Sequence, residues 1–460
     1  MKQFFAKLPV GRLARLALFL LLIPALILLG NTYLTQLDTF SYMTLADIEE
    51  RSDIEMAIVG SSVAEFHFNP EIITEQTGLT AFCATITNLR LPGAIALTEQ
   101  LFETNSPEWV VLVLEPYTFD MTKEDTQTQM KLAPLLTSPL RRLRYWLDTA
   151  SQDGETLSRL LLMNSFPMTS MEDVKKAFLL RTDRQAALLA AQEATDNTML
   201  YRDGFVRLEE PAIGRALCDG MEREETWYDY QLFDYSKQRL LDYKALCEKN
   251  GAKLITVMSP VLSGVALSDP SYLPYMEAAC AYLEEIGVPC LNMLYAKPEL
   301  MANLDHTYVD PHHMHGTGAD AMSKAFSRAF HLHAAGEATD HLFYQSDEEY
   351  LASLDFITNV WATVRRTEEG WRLKAYSNRG TGVTPQYAYA LVHPDGSETT
   401  LRGYSKRTVY TLPYDAIGEG DRIRVYARPL DEADGAVYTD TTELTDTNES
   451  TGPEEPISAG

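Results

Sequence analysis

The chain is poor in cysteine, poor in basic residues and, outside one segment, poor in long uncharged stretches. Its five cysteines are Cys83, Cys218, Cys247, Cys280 and Cys290. An odd, scattered set without a CxxC pair supplies neither a disulfide framework nor a zinc site. Cys280 and Cys290 stand near enough in sequence to pair locally, although buried free thiols are the simpler reading. Lysine and arginine total 39 against 65 acidic residues, a formal net charge of -26 at pH 7. That balance excludes a nucleic-acid surface, which needs clustered cations to neutralise phosphates. The excess acid serves solubility. No internal repeat is present.

The exceptional segment comes first. Residues 16–37 contain no charged side chain and include the run LALFLLLIPALILL. That length crosses a hydrocarbon core as a helix, and the kink expected at Pro24 is one that membrane helices tolerate. Lys2, Lys7, Arg12 and Arg15 precede the run without any acid, while Asp38, Asp47, Glu49 and Glu50 follow it. The positive-inside rule then leaves the N-terminus cytoplasmic and the bulk of the chain extracytoplasmic. A cleaved signal peptide is the competing reading. No small-x-small cleavage site follows the apolar core and no cysteine is placed for a lipid anchor, so residues 1–37 read as a cytoplasmic tip and an uncleaved single-pass anchor.

At 460 residues the chain can build two cores or three. Between residues 48 and 335 strand and helix patterns alternate. Strands are expected at 54–59, 81–86, 109–114, 253–258 and 288–292, and helices at 70–76, from Pro92-Gly93 to about 103, 230–249, 272–286 and 317–333. The 109–114 run, WVVLVL, is apolar throughout, as in a parallel strand covered on both faces. Asn250-Gly251 and Gly287 mark helix ends. Strands alternating with helices predict crossover connections and an open, flavodoxin-like parallel sheet in a three-layer α/β sandwich.

Residues 121–227 interrupt that alternation and are too long for a loop in a compact domain. Their texture is helical, which predicts an inserted cap that either shapes a substrate site or serves as a docking surface. After residue 335 the texture changes. Short alternating runs across 345–444, separated by Asn378-Arg379-Gly380, Pro394-Asp395-Gly396 and Gly418-Glu419-Gly420, predict a small antiparallel β-sandwich. The acidic, apolar-poor tail 445–460 is expected to be disordered.

The chemistry concentrates at one edge of the predicted sheet, where open parallel sheets bind ligands beyond their C-terminal strand ends. Gly60-Ser61-Ser62 follows the first strand, Asn88 to Gly93 the second and Glu115 the third. The stretch YVDPHHMHGTGA at 308–319 follows the last strand and sets Asp310 three residues before His313. A carboxylate that fixes one imidazole nitrogen leaves the other free to take a proton from a nucleophile, for which Ser62 is the candidate. His312, His313 and His315 also invite a metal reading, but near-adjacent histidines in a turn seldom converge on one ion, and no metal or other cofactor is expected. His67 reads as a packing residue at a helix edge. Arg90 reads as a solvated side chain, with contact to an anionic substrate as the alternative.

With these pieces in order, Gly60-Ser61-Ser62 after the first strand and Asp310-Pro311-His312-His313 near the end, the chain resembles the SGNH (GDSL-like) hydrolase superfamily. The resemblance covers residues 53–330 apart from the insertion. It is nearest to membrane-anchored, extracytoplasmic proteins associated with acylation of cell-wall polymers and exopolysaccharides. It implies a metal-free triad of Ser62 as nucleophile, His313 as general base and Asp310 as orienting acid. It also implies an acylated cell-surface glycan as substrate and a membrane acyltransferase as a partner. Many members carry an asparagine after the third strand to help bind the oxyanion, and here Glu115-Pro116 stands instead. The remaining oxyanion candidates are the backbone N–H groups of Ser62 and Gly93 and the side chain of Asn88. Losing one such donor costs about two to three orders of magnitude in rate, so the departure bears on catalysis more than on the fold. A non-catalytic binding or assembly partner of an envelope acylation system is the other reading.

Overall fold

The computed structural model describes residues 10–119, 131–150, 167–214, 231–430 and 437–441. Residues 1–9, Cys218 and the acidic tail lie outside the described residues. The chain opens on α1 (Val10–Tyr33), which runs unbroken through Pro24 and exposes Leu18, Phe19, Leu20, Leu21 and Leu26. Its 14–31 window is long and apolar enough to cross a membrane, a property that a signal sequence shares. Helix α2 (Thr39–Glu50) follows, its N-terminus capped by the Asp38 carboxylate on the Ser41 amide at 2.8 Å.

The α/β layer is laid down as β1 (Met56–Gly60), α3 (Ser62–His67), α4 (Pro70–Thr77), β2 (Ala81–Thr85), α5 (Leu91–Thr104), β3 (Trp109–Leu114) and α6 (Pro116–Phe119). After the insertion come α10 (Asp234–Lys249), β6 (Lys253–Met258), α11 (Ser263–Ser268), α12 (Tyr272–Glu285), β7 (Cys290–Asn292) and α13 (Gly316–Ala334). The five strands form one parallel sheet in the order β2-β1-β3-β6-β7. Every residue of β1, β2 and β3 is buried because both faces are covered. On β3, Val110, Leu112 and Leu114 enter one core with residues of α5, α10 and α12. Trp109, Val111 and Val113 enter the opposite core with Ile73 of α4 and with Met322 and Phe326 of α13. The strand period of two therefore divides one apolar run between two helical layers. The order reverses between β1 and β3, so the crevice expected of an open sheet lies beyond Gly60 and Leu114.

The insertion is not purely helical. It contains α7 (Pro139–Ala150), α8 (Met171–Thr182) and α9 (Arg184–Glu193), then a hairpin of β4 (Met199–Arg202) and β5 (Phe205–Leu208). Asp203 and Gly204 form its two-residue turn with φ of 50° and 78°, the left-handed pair that a type I′ turn requires. The turn docks on the sheet edge. Cys83 N–H donates to Asp203 O at 3.0 Å, and Thr85 Oγ1–H to Gly204 O at 3.0 Å. A Cβ at position 204 would sit 1.7 Å from the Cys83 carbonyl oxygen, so the approach requires glycine.

The C-terminal region packs a three-stranded antiparallel sheet, β12-β9-β8, on a four-stranded one, β11-β10-β13-β14. The strands are β8 (Ile357–Thr367), β9 (Gly370–Arg379), β10 (Pro385–Val392), β11 (Glu398–Ser405), β12 (Val409–Leu412), β13 (Arg422–Pro429) and β14 (Val437–Thr441). Strand β11 carries little sequence signal because its residues are mostly polar and none is buried. In the same sheet β13 alternates strictly, with Ile423, Val425 and Ala427 turned inward. A short helix, α14 (Asp347–Ser353), leads into this region, and its Tyr350 stacks on Tyr295 at 5.2 Å. Cys280 and Cys290 are free thiols with sulfurs 3.5 Å apart.

Candidate active site

The corner beyond β1 is built from two tight pieces of backbone. At Gly60 a Cβ would lie 2.7 Å from Ala64 Cβ and 3.1 Å from Val113 Cβ, so glycine lets the chain turn from strand to helix against β3. Ser61 is the extended N-cap of α3; its Oγ accepts from Val63 N–H at 3.3 Å and donates to Glu115 Oε1. Ser62 is the first helical residue. The second piece is the histidine loop. Val309 N–H bonds to His313 O at 3.0 Å and His315 N–H to Thr307 O at 2.7 Å, which closes the loop on itself. Asp310 Oδ1 accepts from the amides of His312 and His313 at 2.8 and 2.9 Å, the local bonding that favours aspartate in turns.

The two pieces meet. Asp310 Oδ2 lies 2.7 Å from His313 Nδ1, and His313 Nε2 lies 2.9 Å from Ser62 Oγ, across 251 residues of sequence. Phe66 presses edge-on to the His313 ring at 4.8 Å between centroids. Burial opposes ionisation of Asp310, but the hydrogen bond and charge of His313 and the two loop amides outweigh it and bring its pKa to about 2. With Asp310 ionised, Nδ1 carries the proton and Nε2 is left to accept. Ser62 is buried, while Asp310 is half-buried.

His67 is more than a packing residue. It is fully buried, with Nδ1 2.9 Å from Ser259 Oγ and Nε2 2.9 Å from the His312 carbonyl oxygen and 3.2 Å from the Met314 amide. The shorter contact assigns Nε2–H as donor to His312, which makes Nδ1 the acceptor from Ser259. Burial, with the neighbouring His313 adding to it, pushes the His67 pKa down to about 3. A neutral imidazole thus braces the backbone carbonyl just before His313. Glu65, on the same short helix as Ser62, is also fully buried, and Thr87 Oγ1 donates to it at 3.2 Å. Burial and the charge of Asp38 raise its pKa to about 8.

The insertion closes the far side. Ile213 and Gly214 donate their amides to Tyr308 O at 2.8 and 2.9 Å, just before the histidine loop. Phe66, Val206 and Leu208 form a small apolar cluster with Val309 packed against it. Arg207 reaches Asp320 of α13 at 2.7 Å. The insertion therefore grips the loop that carries His313.

The other residues singled out in sequence fall as follows. Arg90 is not solvated: it is buried at the N-cap of α5, its guanidinium 4.1 Å from the Tyr117 ring centroid, and so ties the second strand-end loop to the third. Gly93 lies in the first turn of α5, where a Cβ would meet Leu89 at 2.5 Å and Tyr145 Oη at 3.4 Å. Asn88 sits between them and β2 with a φ of 61°. Glu115 is spent on Ser61. His315 caps α13 by accepting from Thr317 N–H at 3.1 Å, and the His312 side chain is exposed. The three histidines are thus engaged separately, and among the described residues no group of three or more His, Cys, Asp or Glu side chains is placed to hold a metal ion.

Sequence reading missed the role of Ser61, and missed Ser259 and the hairpin altogether. A serine just before a helix start and an Asp-Gly pair between alternating apolar residues are the signals that mark the first and the last. Nothing local marks Ser259.

No protein-family model matches the chain, and no curated protein matches it in sequence. Among the solved structures that match is the crystal structure of a GDSL-like lipase from Bacteroides thetaiotaomicron. It is 11% identical, the match covers 64% of this chain and 98% of that one, and the TM-score is 0.28.

Proposed function

We propose that the protein is a membrane-anchored, extracytoplasmic serine esterase or O-acyltransferase that acts on acyl groups of cell-surface glycans. The observation that carries this reading is the line from Ser62 Oγ through both His313 nitrogens to Asp310 Oδ2, with contacts of 2.9 and 2.7 Å. In such a line Ser62 Oγ attacks the ester carbonyl carbon while its proton passes to His313 Nε2. Asp310 holds the imidazolium. Collapse of the tetrahedral intermediate returns that proton to the leaving alcohol and leaves an acyl group on Ser62. Water or a sugar hydroxyl then gives its proton to Nε2 and takes the acyl group, and Nε2 returns that proton to Ser62 Oγ as it leaves. The Ser62 and Gly93 amides and the Asn88 side chain are the proposed oxyanion donors. The glycan substrate and the acyltransferase partner rest on the apolar N-terminal helix and on the family resemblance.

A second reading has its own support. Glu115 occupies the place where many SGNH members carry an asparagine, and its carboxylate accepts from Ser61 Oγ, so this side chain offers no donor to an oxyanion. A binding or assembly partner of an envelope acylation system would keep the fold without needing turnover. A fluorophosphonate probe, which reacts only with activated serines, separates the two. Labelling of Ser62 that is lost in Ser62→Ala and His313→Ala is expected; a folded chain that stays unlabelled leaves the partner reading.

A further inference from the structure

Helix α8 presents an apolar face that none of the described residues covers. Met171, Val174 and Phe178, at spacing i, i+3 and i+7, are 70%, 43% and 67% exposed, while Ala177 and Leu180 are buried. Such spacing places the three on one stripe of the helix. Lys175 and Arg181 flank it. This helix also touches the exit of α1. Thr35 pairs with Pro167 in an antiparallel bridge, Gln36 Nε2–H donates to Asp173 Oδ1 at 3.2 Å, and the Arg181 guanidinium stands 5.6 Å from the Tyr33 ring centroid. Tyr33 and Leu34 are themselves 57% and 55% exposed, so the apolar surface of α1 continues onto α8.

We infer that α8 is a membrane-interface helix: its Met171, Val174 and Phe178 face lies in the headgroup and upper acyl region of the bilayer that α1 crosses. The inference rests on α1 being a retained span. Three properties favour lipid as the occupant. The stripe is continuous with the end of the span, an aromatic ring stands at that end as membrane interfaces favour, and basic side chains border the apolar face on a chain that is otherwise acidic. Two attachments to one membrane, the span and a helix lying on it, would fix the tilt of the folded body. The histidine loop would then stand at a set height and angle above the lipid rather than swinging on a single tether.

The test uses the full chain in nanodiscs of phosphatidylcholine brominated on the upper acyl chain. Phe178→Trp places a reporter on the stripe, and Lys176→Trp places one on another face of the same helix. The parent supplies the background of its five native tryptophans. Insertion to the depth of an interfacial helix predicts about a twofold or greater loss of the added Phe178→Trp emission, with Lys176→Trp little changed. Retention of the parent in the bilayer after alkaline washing is measured alongside. A retained chain in which Phe178→Trp emits unquenched overturns the interfacial helix alone. A chain washed off the bilayer overturns the anchor and, with it, this inference.

Discussion

The histidine-loop corner and the C-terminal β-region are held together by different physics. The β-region is fixed by area. Val360, Leu373, Tyr389, Ile423 and Val425 are almost wholly buried between two sheets, and what matters there is that apolar side chains leave water. The corner shares Ala64, Tyr308 and Met314 with one of the sheet's two cores, but its geometry is fixed by directed bonds: two amides on Asp310, two on Tyr308 O, and His67 braced between Ser259 and the His312 carbonyl. Burial stabilises without specifying angles, whereas hydrogen bonds specify angles and contribute only about 1 kcal/mol each. Substitutions in the corner should therefore change chemistry more than stability. In the β-region the order should reverse.

The largest expected effect tests the corner directly. His313→Ala should lower hydrolysis of a small acetyl ester by about four to six orders of magnitude, with little change in thermal midpoint. Asp310→Asn should retain roughly tenfold to a thousandfold more activity, because the nucleophile stays and only orientation and tautomer are disturbed. His312→Ala and His315→Ala, assayed in parallel, should matter modestly. Equal losses at all three histidines would sink the serine mechanism.

A paired measurement sets the two regions against each other. His67→Ala removes the brace behind His313 and should reduce kcat about ten- to a hundredfold through misplacement of the base. Leu373→Ala, at a wholly buried position of β9, should cost about 2–5 kcal/mol in denaturant unfolding and leave kcat/KM unchanged. If both variants lose activity in proportion to stability, the division drawn here does not exist.

The smallest effect concerns Glu65. In the folded chain its carboxyl keeps a proton up to about pH 8, whereas its ordinary value is 4.5. Between those limits the unfolded chain binds fewer protons, so native stability falls as pH rises. Glu65→Gln should remove that slope, gaining about 1–3 kcal/mol over the parent at pH 8.5 and little at pH 4.5. Unfolding curves at the two pH values measure it; an unchanged slope would place the carboxyl in water.

The layer structure was legible because its signals are local. WVVLVL reads as a doubly covered strand, and Lys253–Met258 follows a helix end at Asn250-Gly251. The approach of Ser62 to His313 was legible from strand order alone, since both follow strands of one parallel sheet. What stayed hidden depends on partners far along the chain. Arg90 looked solvated because Tyr117, whose ring it covers, belongs to another loop. His67 looked like packing because Ser259 lies 192 residues away. Polar β11 left no hydrophobic alternation to read. The hairpin is a different case: Asp203-Gly204 was a local signal, outweighed by the helical texture around it.

The separation of Ser62 from its base also sets a clock. A ribosome adding about 5–20 residues per second needs roughly 10–50 s to pass from position 62 to 313. Throughout that interval the serine is present without a proton acceptor. The loop that supplies one docks on backbone already made, at Ile213 and Gly214, whose amides hold Tyr308 O. On the proposed mechanism the nascent chain is therefore inert toward esters until about two-thirds of these residues exist, and the Ser62 hydroxyl is never paired with its base ahead of the walls that enclose it.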